Sequence, residues 1–279
     1  MTDPREEILD RWEGVAAGWK ATREAFQGAA LPVSERMIDA IDPQPGQRVL
    51  ELAAGLGDTG LLAAERVRPG GSVIITDGAN AMVEAAAEHV AEVGADNVEV
   101  RQMQAEWIEL ATASVDGVLC RFGYMLLVDP EAALRETRRV LRPGGRVAFA
   151  VWDALERNPW VGVIRRAMQE RGLGEPPPPG APGQFALSSV PELEELLDAT
   201  GFDDAEVTPV DLVFQPASLD DWWDASVQTS SILAEAVGAL PPAEHYKLRD
   251  AVDAGYADYV GDDGSIRLPG RALVAAASA

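Results

Sequence analysis

The sequence predicts a doubly wound α/β fold, a mostly parallel sheet with helices on both faces. Two observations carry that expectation. Short apolar strand candidates at Val49–Ala53, Ser72–Thr76, Val98–Met103, Val115–Cys120 and Arg146–Trp152 alternate with helical stretches such as Ala79–Val93 and Pro130–Leu141, the rhythm of parallel crossover units. A proline–glycine turn also stands before three strands: Pro45-Gly46, Arg68-Pro69-Gly70-Gly71 and Arg142-Pro143-Gly144-Gly145. Proline stops a helix there, and glycine accepts the positive φ that turns the chain back into a sheet.

Taken in order, residues 1–45 read as N-terminal helices that cover the site, at Ile8–Phe26 and Val33–Ile41, where apolar residues fall at helical spacing. The break Asp42-Pro43-Gln44-Pro45-Gly46 ends them. Residues 46–215 are the expected α/β core. Within it Glu175–Gly183, with four consecutive prolines, reads as a stiff surface loop or flap. A helix at Val190–Thr200 and a strand near Ala205–Phe214 follow. Residues 216–262 form a helical cap insertion, with helices at Leu219–Leu240 and Ala243–Tyr259, and residues 263–279 supply a final strand at Ser265–Ala276.

Charge narrows the partners. With 46 acidic against 23 basic side chains, the chain carries a formal charge of −23. That field repels phosphate backbones and anionic membrane surfaces, so a nucleic-acid substrate is disfavoured. Cys120 is the single cysteine, which forbids an internal disulfide and suits a reducing cytoplasm. The first ten residues hold no apolar signal stretch, and no run approaches the length of a membrane span. Two distant histidines and one cysteine give no zinc-site spacing. A cytoplasmic protein acting on a small molecule, with no metal, is the expectation.

The chemistry concentrates in Val49-Leu-Glu-Leu-Ala-Ala-Gly-Leu-Gly-Asp-Thr-Gly60. An apolar strand enters a loop of small residues and leaves as a helix, so the backbone bends sharply and a ligand can approach it. The next strand ends at Asp77, placed to accept from both hydroxyls of a ribose. Gly55-x-Gly57-x-x-Gly60 with an acid about 20 residues on also satisfies the dinucleotide fingerprint. Three features tip the balance: Glu51 just before the loop, a carboxylate that opposes a pyrophosphate; Gln104-Ala105-Glu106 after the third strand; and Leu141-Arg-Pro-Gly-Gly145 before the fifth.

Together these residues resemble the class I methyltransferases, and most closely the branch of quinone-biosynthesis C-methyltransferases and other small-molecule methyltransferases. The resemblance spans about Gln47 to Trp152. It implies a Rossmann-like, seven-stranded sheet whose last strand runs antiparallel, and S-adenosylmethionine as cofactor, released as S-adenosylhomocysteine. It also implies residue roles. Glu51, Ala53, Gly55 and Gly57 lie under the methionine part, Asp77 binds the ribose, and Gly78 and Met82 lie against the adenosine. Gln104, standing where the family commonly has Asp or Asn, and Ala105 face the adenine. Arg121 and Phe122 lie near the sulfonium. Met82 reads equally well as core, and Arg121 as half of an ion pair with Asp129 or Glu131.

The acceptor side is less specified. His245 and Asp153 are weak candidates for a general base; His89 reads as structural and Cys120 as a buried small hydrophobe. Aromatic residues at strand ends and in the helices, among them Trp12, Trp152, Trp160, Trp222 and Trp223, suggest an apolar pocket, with Trp19 and Tyr124 the preferred substrate-side residues. The reading is methyl transfer to oxygen or carbon of an aromatic, polyketide-like or isoprenoid acceptor. The alternatives are an NAD-dependent oxidoreductase on the same glycine loop and a non-catalytic ligand-binding protein. The cap helices could cover the site or pair two copies as a homodimer.

Overall fold

The computed structural model describes residues 3–174, 178 and 180–279. Seven strands, β1 (Arg48–Glu51), β2 (Ser72–Asp77), β3 (Val98–Gln102), β4 (Val115–Arg121), β5 (Leu141–Trp152), β6 (Asp203–Phe214) and β7 (Leu268–Ser278), make one sheet in the order β3-β2-β1-β4-β5-β7-β6. β1 to β5 pair in parallel; β7 inserts antiparallel between β5 and β6. The apolar runs explain the order. Val49–Leu50, Val73–Ile75, Val118–Cys120 and Val147–Trp152 are buried throughout, as strands covered on both faces require. β6 alternates and exposes Asp203, Asp204 and Glu206, which suits an edge. Strand order reverses between β1 and β4, so the crevice for a ligand opens beyond the carboxyl ends of these strands.

All three predicted turns carry a positive-φ glycine after the proline: Gly46 (87°), Gly70 (83°) and Gly144 (79°). The third sits inside β5 rather than before it. Leu141 already pairs with Val115, and the register then jumps to Arg146 opposite Gly117, so the proline–glycine segment bulges out of a longer strand.

The helices are α1 (Pro4–Ile41), α2 (Asp58–Arg66), α3 (Asn80–Val93), α4 (Pro130–Val140), α5 (Pro159–Gln169), α6 (Val190–Ala199), α7 (Leu219–Thr229), α8 (Ser231–Ala239) and α9 (Pro242–Gly255). Three differ from expectation. The two N-terminal helices are one, running through Pro32. An interior proline costs roughly 3 kcal/mol, but Ala29, Ala30, Val33, Met37, Ile38 and Ile41 around it are all buried, and that burial outweighs one lost bond. The long cap helix is two, because Ser230 leaves helical geometry (φ −126°, ψ 106°) and its hydroxyl caps the next turn at Leu233. α5 was not anticipated. Residues 175–177 and 179 of the expected loop at Glu175–Gly183 lie outside the described residues. Among the described residues no helix is long and apolar enough to cross a membrane.

α1 has two jobs along its length. Its second half lies on the sheet, where Arg146 Nε donates to the Ala40 carbonyl (2.8 Å) and Arg36 pairs with Glu206 (2.8 Å). Its first half passes over the loops at the strand carboxyl ends. Gly18 lets α1 approach α7 closely: a methyl group there would stand 2.1 Å from the Gln228 carbonyl oxygen. Gly18→Ala should therefore destabilise the protein by about 1–3 kcal/mol. Gly14→Ala, which meets nothing within 4 Å, should gain up to about 1 kcal/mol in helix propensity. Urea unfolding of the pair checks both signs.

Candidate active site

The loop after β1 folds by left-handed residues. Ala53 (φ 47°), Gly55 (56°) and Gly57 (78°) alternate with residues outside the positive-φ region, which turns the chain sharply from β1 into α2. Ala53 holds this conformation at a steric cost that glycine avoids. Asp77, the last residue of β2, fixes the loop: one carboxylate oxygen accepts from Gly55 N (2.8 Å), the other from Ala79 N (3.0 Å). Each oxygen keeps a second lone pair for a ligand hydroxyl. Burial raises the Asp77 carboxyl above its ordinary range, against those amide bonds.

Glu51 is buried, and its carboxylate accepts from Gly60 N (2.8 Å) in the first turn of α2. Desolvation pushes its pKa up to about 8, although Arg121 pulls it down. One amide of the helix N-terminus that would receive a dinucleotide's pyrophosphate is thus taken by a side-chain carboxyl.

Two features test the fit of S-adenosylmethionine. Nothing stands within 4 Å of where a side chain would project from Gly55, so the backbone is open to a ligand. Trp19 Nε1 is buried with no acceptor, a donor a ligand oxygen would satisfy. The residues present fit the cofactor.

Comparison with known proteins agrees. Residues 49–145 match the methyltransferase domain family. The chain is 32% identical over 201 residues to an arsenite methyltransferase of Halobacterium salinarum (71% of this chain, 48% of that protein). It is 38% identical over 142 residues to nocamycin O-methyltransferase of Saccharothrix syringae (51% and 49%). It is 30% identical over 149 residues to a ubiquinone/menaquinone biosynthesis C-methyltransferase of Hahella chejuensis (53% and 60%). The chain therefore spans about half the length of the first two relatives. Among solved structures, the YcgJ protein of Bacillus subtilis shares the fold with a TM-score of 0.59 at 22% identity, covering 88% of this chain and 97% of that one. The α/β core is a class I S-adenosylmethionine-dependent methyltransferase domain.

Around the methyltransferase domain's loop, α1 stands where the adenosine edge was expected. A side chain at Gly78 would meet Leu9 Cδ2 at 2.8 Å. Met82 is buried with Ala16, Leu56 and Ala79 under Trp12 and Trp19, so it packs α1 onto α3. Gln104 is half-buried beside Gly78, and Ala105 is buried. Glu106, named only as part of its tripeptide in the sequence, anchors the region. It accepts from Arg5 Nε (3.0 Å), Arg5 Nη2 (3.1 Å) and Asp129 N (2.8 Å). Glu13 caps α3 through Asn80 N and Ala81 N. These bonds are long-range, and no local pattern announces them.

Arg121 is not half of the expected ion pair. Its guanidinium donates to Gln27 (2.7 Å) and Ser34 (2.9 Å) and lies 3.9 Å from Asp58, so it braces α1 against α2 and pairs with neither Asp129 nor Glu131. Asp58 also holds Arg23 at 3.2 Å. His89 supports the loop directly: its Nδ1 contacts the Leu56 carbonyl at 2.9 Å and its Nε2 faces Arg23 Nη1. Since arginine can only donate, the hydrogen belongs on Nδ1. Tyr124 is no acceptor-side residue; it is fully buried, with its hydroxyl on Thr137 (2.5 Å) and its ring against Phe149. Asp153 accepts from Ala154 N (2.7 Å), and His245 stacks between Trp223 and Tyr246. Cys120 is buried, its thiol pushed up to about 12, so it packs rather than attacks. Among the described residues no cluster could hold a metal ion.

Phe122, expected near the sulfonium, leaves β4 in a left-handed conformation (φ 62°) and stacks on Trp152 at the end of β5 (4.1 Å, 9°). From there aromatic contacts run without a break. Trp152 meets Trp160, Trp160 meets Phe214 and Trp222, and Phe122 meets Phe26, which meets Trp19. Phe26 and Phe214 were missed as wall residues because each reads locally as ordinary core.

Glu51 sets a pH signature. A carboxyl whose pKa is higher folded than unfolded binds its proton more tightly in the native state. Native stability therefore falls as the pH rises from the ordinary carboxylate value towards about 8. Glu51→Gln, which keeps the acceptor for Gly60, should flatten that decline, as urea unfolding at pH 5 and pH 8 will show. Asp77→Asn should weaken S-adenosylhomocysteine binding by about tenfold or more, the worth of a charged hydrogen bond, read by calorimetry.

Proposed function

We propose that the protein transfers the methyl group of S-adenosylmethionine to an oxygen or carbon atom of a small, largely apolar acceptor of aromatic, polyketide-like or isoprenoid character. One observation carries this reading: the aromatic wall of Phe26, Phe122, Trp152, Trp160, Phe214 and Trp222 begins at the carboxyl ends of β4 and β5, beside the glycine loop. Such a wall binds flat or branched apolar bodies through area and ring contacts.

S-adenosylmethionine supplies a methyl carbon already activated by its positive sulfur. The chain's own part is to hold both ligands and to exclude water. Asp77 grips the ribose, the Ala53–Gly57 backbone admits the methionine end, and Trp19 offers a buried donor. Positioning of this kind supplies up to ~7–11 kcal/mol. No general base is assigned to Asp153, held on Ala154, or to His245, stacked on Trp223. Acceptors that ionise readily, such as phenols and enolisable dicarbonyls, fit that arrangement. Both O- and C-methylation occur among the relatives by name. Arsenite suits the chain poorly: trivalent arsenic wants soft thiolate donors, and the single thiol is buried in β4.

The first half of α1 serves as a cover. Arg5–Glu106, Lys20–Glu88 and Arg23–Asp58 tie it down, and these ties open for the cofactor to enter.

Assay of S-adenosylhomocysteine release with phenols, quinols and enolisable dicarbonyls tests the reading. Turnover should appear with at least one class, and Trp152→Ala should lower kcat/KM by about tenfold or more with cofactor affinity little changed. Tight S-adenosylmethionine binding without turnover on any class would support the ligand-binding alternative instead.

A further inference from the structure

Arg165 is a half-buried cation that no acid pairs with among the described residues. It sits on α5, whose buried face is Ile164, Ala167 and Met168. Its Nη2 donates to Gln184 Oε1 (3.0 Å), and its guanidinium lies over the Phe185 ring at 4.8 Å. Among the described residues no carboxylate pairs with it, and burial by itself lowers its pKa from the ordinary arginine value. Among the other half-buried arginines, Arg5, Arg23, Arg121, Arg249 and Arg271 each lie within 4.0 Å of an acid, and Arg146 and Arg171 each donate to backbone carbonyls; Arg165 has one side-chain amide.

A half-buried guanidinium left with one amide partner gives up part of its hydration, which a neutral acceptor does not replace. Its remaining N–H donors match the forked geometry of a carboxylate. Position gives the reason. Five residues separate Arg165 from Trp160 of the aromatic wall, about 7.5 Å along the helix axis. Gly183, beside Gln184, donates to the Met125 carbonyl (2.9 Å) in the turn that follows β4. Through Gln184 the Arg165 guanidinium is held beside the segment tied to the turn after β4, the strand whose end opens onto the proposed acceptor crevice.

We propose that Arg165, steadied by Gln184 and Phe185, binds an anionic group of the acceptor, so that the substrate is an aromatic or otherwise apolar acid, held by its carboxylate at one end and by the aromatic wall along its body. This rests on the acceptor site proposed above and specifies it. A field of −23 repels polyanions at long range, but a single carboxylate is retained once a half-buried guanidinium meets it at short range. The glutamine amide fits the same role: it orients the fork without neutralising it, which an acid in its place would do.

The test uses the full chain saturated with S-adenosylhomocysteine and a matched pair of probes, 2-naphthaleneacetate and its uncharged amide, titrated by calorimetry. Wild type should bind the acid about tenfold or more tighter than the amide, the margin of one charged hydrogen bond. Arg165→Met should abolish that preference and leave the amide's affinity within about twofold of wild type, while Arg165→Lys keeps a reduced preference. Equal binding of acid and amide by wild type overturns the proposal, as does failure to bind the acid. So does an acid preference that survives Arg165→Met, or loss of amide binding in that variant, which would mark the arginine as structural. Cofactor affinity is measured in the same proteins, so a failed carboxylate subsite and a failed cofactor assignment give separate readings.

Discussion

The site depends on one carboxylate. Asp77 joins two loops that leave neighbouring parallel strands, one through Gly55 N and the other through Ala79 N. With Ala54 N on the Thr76 carbonyl (2.9 Å) and His89 Nδ1 on the Leu56 carbonyl (2.9 Å), that bridge ties down the loop from Ala53 to Gly57, and backbone in sparsely populated conformations persists only where its surroundings fix it. In the proposed function the same oxygens hold the ribose, which would join structural and binding roles in one buried group, and the raised pKa is the cost of burying it there.

A second carboxyl, Glu51, occupies one amide of the α2 N-terminus, at Gly60, where a pyrophosphate would otherwise seek donors. The glycine spacing is shared with dinucleotide-binding folds, so the spacing alone cannot separate them. Glu51 bears on that difference, and it lies beside Asp58 and Arg121, which join it to the second half of α1.

The acceptor side is built differently, from parts far apart in the chain. Phe26, Phe122, Trp152, Trp160, Phe214 and Trp222 come from six elements and turns, and they meet because β7 inserts between β5 and β6 and carries the cap beside the strand ends. Arg165 and Gln184, proposed above as an anion site, lie on α5 and on the segment tied to the turn after β4. An apolar surface with a single half-buried cation at its flank binds amphipathic molecules in one orientation, and orientation is what an in-line methyl transfer requires.

The sequence by itself determined the sheet, its strands and the cofactor loop, because these rest on local chemistry. Apolar runs, proline–glycine turns and an acid at a strand end act within a few residues of themselves. It also placed Glu51 and Asp77 beside the loop. The tertiary structure alone decided what the side chains around them touch. Arg121 turned to Gln27, Ser34 and Asp58, Tyr124 turned inward to Thr137, and Glu106 reached Arg5 across the chain. Such contacts join residues tens to a hundred positions apart, and no local periodicity encodes them. Pro32 and Ser230 show the same limit for helices: a burial surface carried one through a proline, and a serine cap cut another in two.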